Sequence, residues 1–149
     1  LAVLSVGVIP IFNGSVGLVK MRSTRANFVE LLSHVQERAV IESREYRLYI
    51  DDRDNTYWAA RRIGILNGEK IFEAVEEPFG QLQVLPINVR VTRLQARKDL
   101  ETGSYYISSH PNGASDSAEI SFQDETDPGR SFTIFTGGLM GKISVEVSE

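Results

Sequence analysis

Residues 1–19 read Leu1-Ala-Val-Leu-Ser-Val-Gly-Val-Ile-Pro-Ile-Phe-Asn-Gly-Ser-Val-Gly-Leu-Val19 and contain no charged side chain. A helix that crosses a bilayer core needs about 20 mainly apolar residues, so this run is close to the required length. The sequence therefore predicts a hydrophobic transmembrane or assembly half of a helix over residues 1–19. The residues assigned to it are Leu1, Val3, Leu4, Val6, Val8, Ile9, Pro10, Ile11 and Phe12.

The helical pattern continues over residues 20–46, but apolar residues now recur only at intervals that add up from three and four. This spacing places them on one stripe of an α-helix, with Glu30, Glu37 and Arg44 on the opposite side. The sequence predicts an amphipathic half that packs on a globular head. The residues expected to make that contact are Phe28, Leu31, Leu32, Val35 and Ala39.

Three apolar residues of the same segment, Val29, Val40 and Ile41, lie off this stripe. One interpretation is that the head wraps far enough around the helix to bury them. The other is that they contact a neighbouring subunit, as helices in an assembled bundle would. The sequence leaves both interpretations open.

After residue 46 the apolar period changes from 3.6 to 2, which is typical of β-strands. Residues 47–149 are therefore expected to form a β-rich head, and the fold class is α+β: a long N-terminal helix packed against antiparallel β-sheets. Residues 95–103 are assigned to a helical turn or a loop. Strands are predicted at residues 46–50, 56–60, 70–75, 82–85, 87–94, 104–108, 118–122, 131–136 and 142–147.

Charge is distributed unevenly along the chain. Residues 1–50 contain six Lys/Arg and four Glu, a net charge of +2, whereas residues 51–149 contain ten Lys/Arg and sixteen Asp/Glu, a net charge of −6. An acidic head with only Arg130 and Lys142 as cations in its C-terminal part is a poor partner for nucleic acid. Lys20, Arg22 and Arg25 follow the apolar run, where they could reach phospholipid head groups or form a solvated helix turn.

No arrangement of reactive side chains predicts catalysis. The chain has no cysteine, and its two histidines are His34 and His110. His110 belongs to a His-Pro-Asn-Gly turn signal, and His34 is expected to be solvated or to face a partner. The sequence predicts no catalytic residue, no cofactor and no small-molecule substrate.

Metal and phosphate sites are also not expected. Residues 51–54 carry three Asp, and a second acidic group comprises Asp116, Asp124, Glu125 and Asp127, but neither stretch has the pattern of a calcium loop. Both are interpreted as solvated hairpin tips. Gly137, Gly138 and Gly141 lack the Lys-Ser/Thr and the helix of a phosphate-binding loop.

Six blocks of the sequence resemble one family. Leu1-Ala-Val-Leu-Ser5 is similar to the interior of a pilin-type apolar helix, and residues 37–50 resemble the exit from that helix into the first strand. The later blocks are Ile107-Ser-Ser-His-Pro-Asn-Gly-Ala-Ser115, Ile120-Ser-Phe122, Phe132-Thr-Ile-Phe-Thr-Gly137 and Gly141-Lys-Ile143. In this order they resemble the type II secretion pseudopilins and type IV minor pilins of the GspH/FimT group.

The resemblance implies a minor pseudopilin, a non-catalytic structural subunit of a periplasmic pseudopilus in type II protein secretion. The alternative that it implies is a minor type IV pilin that acts in pilus assembly or DNA uptake. The expected partners are other pseudopilins, major and minor, and inner-membrane lipid before assembly. A single-pass position in the bacterial inner membrane with the head in the periplasm would follow, whereas N-terminal processing and methylation would involve residues upstream of Leu1.

Overall fold

The computed structural model describes the backbone of residues 2–76 and 79–149 and the side chains of residues 16–76 and 79–149. One long helix, α1 (Ala2–Glu42), precedes ten β-strands. They are β1 (Tyr46–Asp51), β2 (Thr56–Leu66), β3 (Glu69–Ala74), β4 (Gln83–Val84), β5 (Val89–Gln95), β6 (Arg97–Lys98), β7 (Tyr105–Ser109), β8 (Ser115–Asp124), β9 (Asp127–Gly138) and β10 (Lys142–Ser148). The predicted α+β class, a helix packed on antiparallel strands, is confirmed.

Helix α1 ends in a tight cap that turns the chain into the sheet. Ser43 has a φ of 54°, in the left-handed region. The Ser43 N–H donates to Val40 O (3.3 Å) and the Arg44 N–H donates to Ala39 O (3.2 Å). This pair of hydrogen bonds is a Schellman motif, with serine at the position that glycine usually occupies. The chain enters β1 only two residues later.

All strand pairs are antiparallel, in the order β10-β9-β8-β7-β1-β2-β3, and β4, β5 and β6 pair with β2, β8 and β7. Strands β7 and β8 share a single register pair, Ser109 with Ser115. Beyond that pair the sheet divides into two wings, one of β3-β2-β1-β7 and one of β10-β9-β8-β5. Helix α1 packs against both wings.

Two local predictions differ from the structure. Strand β2 continues to Leu66, well past the predicted end at residue 60, because β3 pairs with its second half. Residues 95–103 contain a short strand, β6, which pairs with β7 at Arg97–Tyr106 and Lys98–Tyr105. A two-residue strand carries no periodicity of its own, so only its partner identifies it.

Candidate assembly surface

The inner face of α1 is the main contact between helix and head. Its five predicted head-packing residues, Phe28, Leu31, Leu32, Val35 and Ala39, are all buried in the hydrophobic core. Phe28 lies at the centre, and its ring centroid is 5.2 Å from that of Tyr57 and 5.3 Å from that of Phe122. Because a fully buried large apolar side chain contributes about 1.5–3 kcal/mol, this stripe fixes the helix on the sheets.

The opposite side of α1 is open to solvent. Exposed residues recur there at intervals of seven, and we call them the open helix face: Val19, Ala26, Ser33, Val40 and the adjacent Ile41. Val40 and Ile41 are 49% and 62% exposed. Val29, in contrast, packs against the core. The two interpretations of the off-stripe residues therefore apply to different positions, since the head covers Val29 and leaves Val40 and Ile41 free.

Heptad spacing is the signal by which the sequence could have revealed this face. Residues seven apart remain on one side of a helix over several turns, and helices that pack side by side use such a repeat. Ala26 and Ser33 are small, so another helix backbone could approach closely at these positions. The open helix face is therefore suited to helix–helix contact.

The head contacts α1 at several points along the helix. Near the first described side chains, a Cβ atom at Gly17 would lie 3.1 Å from Arg130 Nη1 and 3.3 Å from Asp124 Oδ2. Arg22 forms an ion pair with Glu149 (3.0 Å). Two turns before the helix end, Gln36 Nε2 donates to Gly141 O (2.7 Å). The head thus lies along the helix from residue 17 to its end, and the open helix face has a fixed orientation.

A buried carboxylate joins the end of α1 to the sheet. Glu45 is 3% exposed. It pairs with Lys70 Nζ (2.6 Å) and with Arg47 Nε (3.4 Å), and it accepts a hydrogen bond from Ser108 Oγ (2.8 Å). Burial favours the neutral acid, yet these partners keep the pKa of Glu45 below its ordinary value. Glu45 therefore connects β1, β3 and β7 next to the helix end.

His34 is half-buried at the edge of a cavity, and the expectation that it is solvated or faces a partner stays a prediction. Its ring packs edge-on against the ring of Phe79, with 3.9 Å between centroids. Asn27, Glu30 and Gln83 are among the residues that surround it in a cavity of about 350 Å³. The segment that carries Phe79 crosses this flank of α1, and no helix periodicity predicts that crossing.

The acidic stretches are only partly the solvated tips that were expected. Asp51 is nearly buried and accepts hydrogen bonds from the Arg53 N–H (3.0 Å) and the Asp54 N–H (3.2 Å). Asp124 is fully buried and accepts from the Thr126 N–H (2.9 Å) and hydroxyl (2.7 Å). Both carboxylates organise turns. Among the described residues, no group of three or more candidate ligands lies close enough together to hold a metal ion.

The two basic residues of the C-terminal part, Arg130 and Lys142, have different surroundings. Arg130 lies 3.4 Å from Asp124 Oδ2 and 3.3 Å from Asp127 Oδ2, so carboxylates neutralise its charge. Lys142 is exposed on β10. His110 Nε2 lies 3.3 Å from Asp116 Oδ1 in its turn, which also contains Gly113 with a φ of 90°.

The predicted membrane and assembly residues lie outside the part of the chain whose side chains are described. This applies to Leu1, Val3, Leu4, Val6, Val8, Ile9, Pro10, Ile11 and Phe12. In the part that is described, no helix has the length and apolar character needed to cross a membrane. The transmembrane assignment of residues 1–19 thus stays a prediction.

Comparison with known proteins identifies the fold. No protein-family model matches the chain, and no curated protein sequence matches it either. Among solved structures, the minor pseudopilin EpsH from the type 2 secretion system of Vibrio cholerae superimposes with a TM-score of 0.68, over 86% of this chain and 97% of that one, at 8% sequence identity. A second structure of EpsH gives a TM-score of 0.67, 9% identity and coverage of 87% and 97%. The chain therefore has the pilin-like fold of EpsH.

Proposed function

We propose that this chain is a minor pseudopilin, a structural, non-catalytic subunit of a periplasmic pseudopilus in type II protein secretion. One observation carries the proposal: a long helix packs along a divided antiparallel sheet in the arrangement of EpsH, over nearly the whole of that protein's described chain. The blocks of sequence that resemble the GspH/FimT group support the same function.

Each part of the chain has a role in this proposal. Residues 1–19 anchor the subunit in the bacterial inner membrane and enter the filament core, residues 20–46 hold the head, and residues 47–149 form the periplasmic head. Lipid and neighbouring helices can both satisfy an apolar helix surface, so transfer from membrane to filament need not require much free energy. The partners are major and minor pseudopilins, and lipid before assembly.

The open helix face supports contact with other subunits. Its side chains point away from the head that covers the other side of α1, and its seven-residue spacing suits side-by-side helix packing. In a filament built on a helical core, neighbouring helices would lie against Val40 and Ile41.

Cysteine cross-linking tests this function directly, because the natural chain has no cysteine. We expect Ile41→Cys to form cross-links with pseudopilins in cells that carry a type II secretion system. Ile65→Cys is the matched control, since Ile65 on β2 is 63% exposed and Ile41 is 62% exposed. Cross-links to type IV pilins alone, or equal cross-linking from both positions, would contradict the proposal.

Deletion of residues 1–19 tests the anchoring step separately. We expect the shortened chain to leave the membrane fraction and to be absent from filaments, because the apolar half of the helix is gone. A shortened chain that still sediments with membranes and still enters filaments would overturn the assigned role of this segment.

A further inference from the structure

The face of the β3-β2-β1-β7 wing that points away from α1 contains an open cleft of about 580 Å³. Leu48 and Ala59 point inward to the core that α1 covers. Because side chains alternate along a strand, their neighbours Arg47, Trp58 and Ala60 point outward. The cleft therefore remains accessible when the helix is packed against other helices.

Aromatic rings and small residues give the cleft its shape. The Tyr49 and Trp58 rings stack with centroids 5.3 Å apart and planes 9° from parallel. Ala60 and Ala74 are paired in register on β2 and β3, and their short side chains leave space beside Trp58. Trp58 also lines an adjoining apolar hollow of about 260 Å³.

The two cations that line the cleft already have partners. The Arg47 guanidinium lies 3.9 Å from the centroid of the Phe72 ring and 4.0 Å from that of Tyr106, and it also pairs with Glu45. Lys70 pairs with Glu45 at 2.6 Å. Neither positive charge is free to attract an anionic ligand.

The remaining charges that line the cleft are negative. They belong to Glu69, Asp99 and Glu101. Asp99 Oδ1 accepts a hydrogen bond from the Glu101 N–H (3.0 Å). Within the described part of the chain, no ion pair engages the carboxylates of Glu69 or Glu101. The cleft thus combines an aromatic wall with two carboxylates, those of Glu69 and Glu101, that form no ion pair.

We propose that this cleft binds a basic segment of a partner protein, with a Lys or Arg side chain of that segment against Trp58 and its charge close to Glu101. Aromatic faces attract cations, and a neighbouring carboxylate adds to that attraction. A nucleic acid or an acidic peptide would be repelled, and a neutral glycan would donate hydroxyl hydrogen bonds to the carboxylates but would leave their negative charge unpaired. The inference does not depend on the role of α1 in a filament.

Peptide binding to the full 149-residue chain in mild detergent tests the proposal. The probe is a fluorescein-labelled, capped peptide of eight alternating glycine and arginine residues, followed by fluorescence anisotropy. We expect Glu101→Lys to weaken binding about fivefold or more and Trp58→Ala to weaken it about three- to fivefold. Glu146→Lys on β10 is the control, because it makes the same change in net charge away from the cleft.

The outcomes separate a specific cleft from general attraction to an acidic protein. Equal weakening by Glu101→Lys and Glu146→Lys would overturn the proposal, as would equal binding of a matched glycine–glutamate peptide. Tighter binding of a chitin-type oligosaccharide would assign the cleft to a glycan instead. If Trp58→Ala fails to fold, Glu101→Lys decides alone, since Glu101 is exposed.

Discussion

Lys70 Nζ lies 2.6 Å from Glu45 Oε1, and this contact joins the second hairpin of the head to the point where α1 ends. Glu45 is buried, whereas the Lys70 side chain is 44% exposed. Removing the charge of Glu45 would leave Lys70 and Arg47 without their carboxylate and would leave Ser108 Oγ with a weaker acceptor. The substitution would therefore weaken contacts of β1, β3 and β7 at the same time.

We expect Glu45→Gln to lower the free energy of unfolding by about 2 kcal/mol, because a buried, hydrogen-bonded charge partner is lost. Urea denaturation followed by the fluorescence of Trp58, the single tryptophan, measures the change. Glu73→Gln is the control: Glu73 pairs with Arg61 at 3.0 Å on the surface, and its loss should change stability by less than about 0.5 kcal/mol. Equal effects of the two substitutions would contradict the assigned role of Glu45.

Acid should destabilise the head through two carboxylates. Burial opposes the charged form of Asp124, but hydrogen bonds from Thr126 and the charge of Arg130 hold its pKa below the ordinary 3.8. The pKa of Glu45 is likewise held below its ordinary 4.5. A carboxylate with a lower pKa in the folded state adds stability that is complete above the unfolded-state value and is lost as the pH falls through the folded-state value.

We therefore expect the free energy of unfolding to decrease as the pH falls below about 4.5. Urea titrations at several pH values between 3 and 7 measure this dependence. In the Glu45→Gln and Asp124→Asn variants the decrease should be shallower than in the natural chain. An unchanged pH dependence in both variants would show that other groups control acid stability.

Shortening a side chain on the buried face of α1 should cost much more stability than shortening one on the open helix face. Phe28→Ala should lower the free energy of unfolding by about 3–5 kcal/mol, because it removes a fully buried ring between Tyr57 and Phe122. Val40→Ala on the open helix face should change it by less than about 0.5 kcal/mol. Thermal unfolding monitored by circular dichroism compares the two. A large loss in Val40→Ala would mean that this face is structural within the single chain.

The helix stripe was predictable because Phe28, Leu32 and Ala39 recur at the period of an α-helix and need only one neighbouring layer. The hairpin of β1 and β2 was predictable from alternation on both sides of an Asp- and Asn-rich turn. The position of His34 was not, because Phe79 reaches it from a segment 45 residues away in sequence. The outer cleft was not predictable either, since strand pairing brings Trp58 and Ala74 together.

The last β-hairpin contains two glycines that should respond differently to substitution. Gly138 and Gly141 both have positive φ, 85° and 61°. A Cβ atom at Gly141 would lie 2.8 Å from the Gly113 carbonyl oxygen and close to Gln36, whereas one at Gly138 would meet no atom within 4 Å. Gly138→Ala should therefore lose only about 1 kcal/mol of stability, from backbone strain.

We expect Gly141→Ala to lose about 2–3 kcal/mol, because the clash with the Gly113 carbonyl adds to the same strain. The substitution also displaces the backbone that accepts the hydrogen bond from Gln36, so the head should loosen from the end of α1. Hydrogen exchange at residues 36–42 measures that loosening alongside urea denaturation. Faster exchange in Gly141→Ala but not in Gly138→Ala is the expected result, and equal exchange in both variants would show that this contact does not hold the helix.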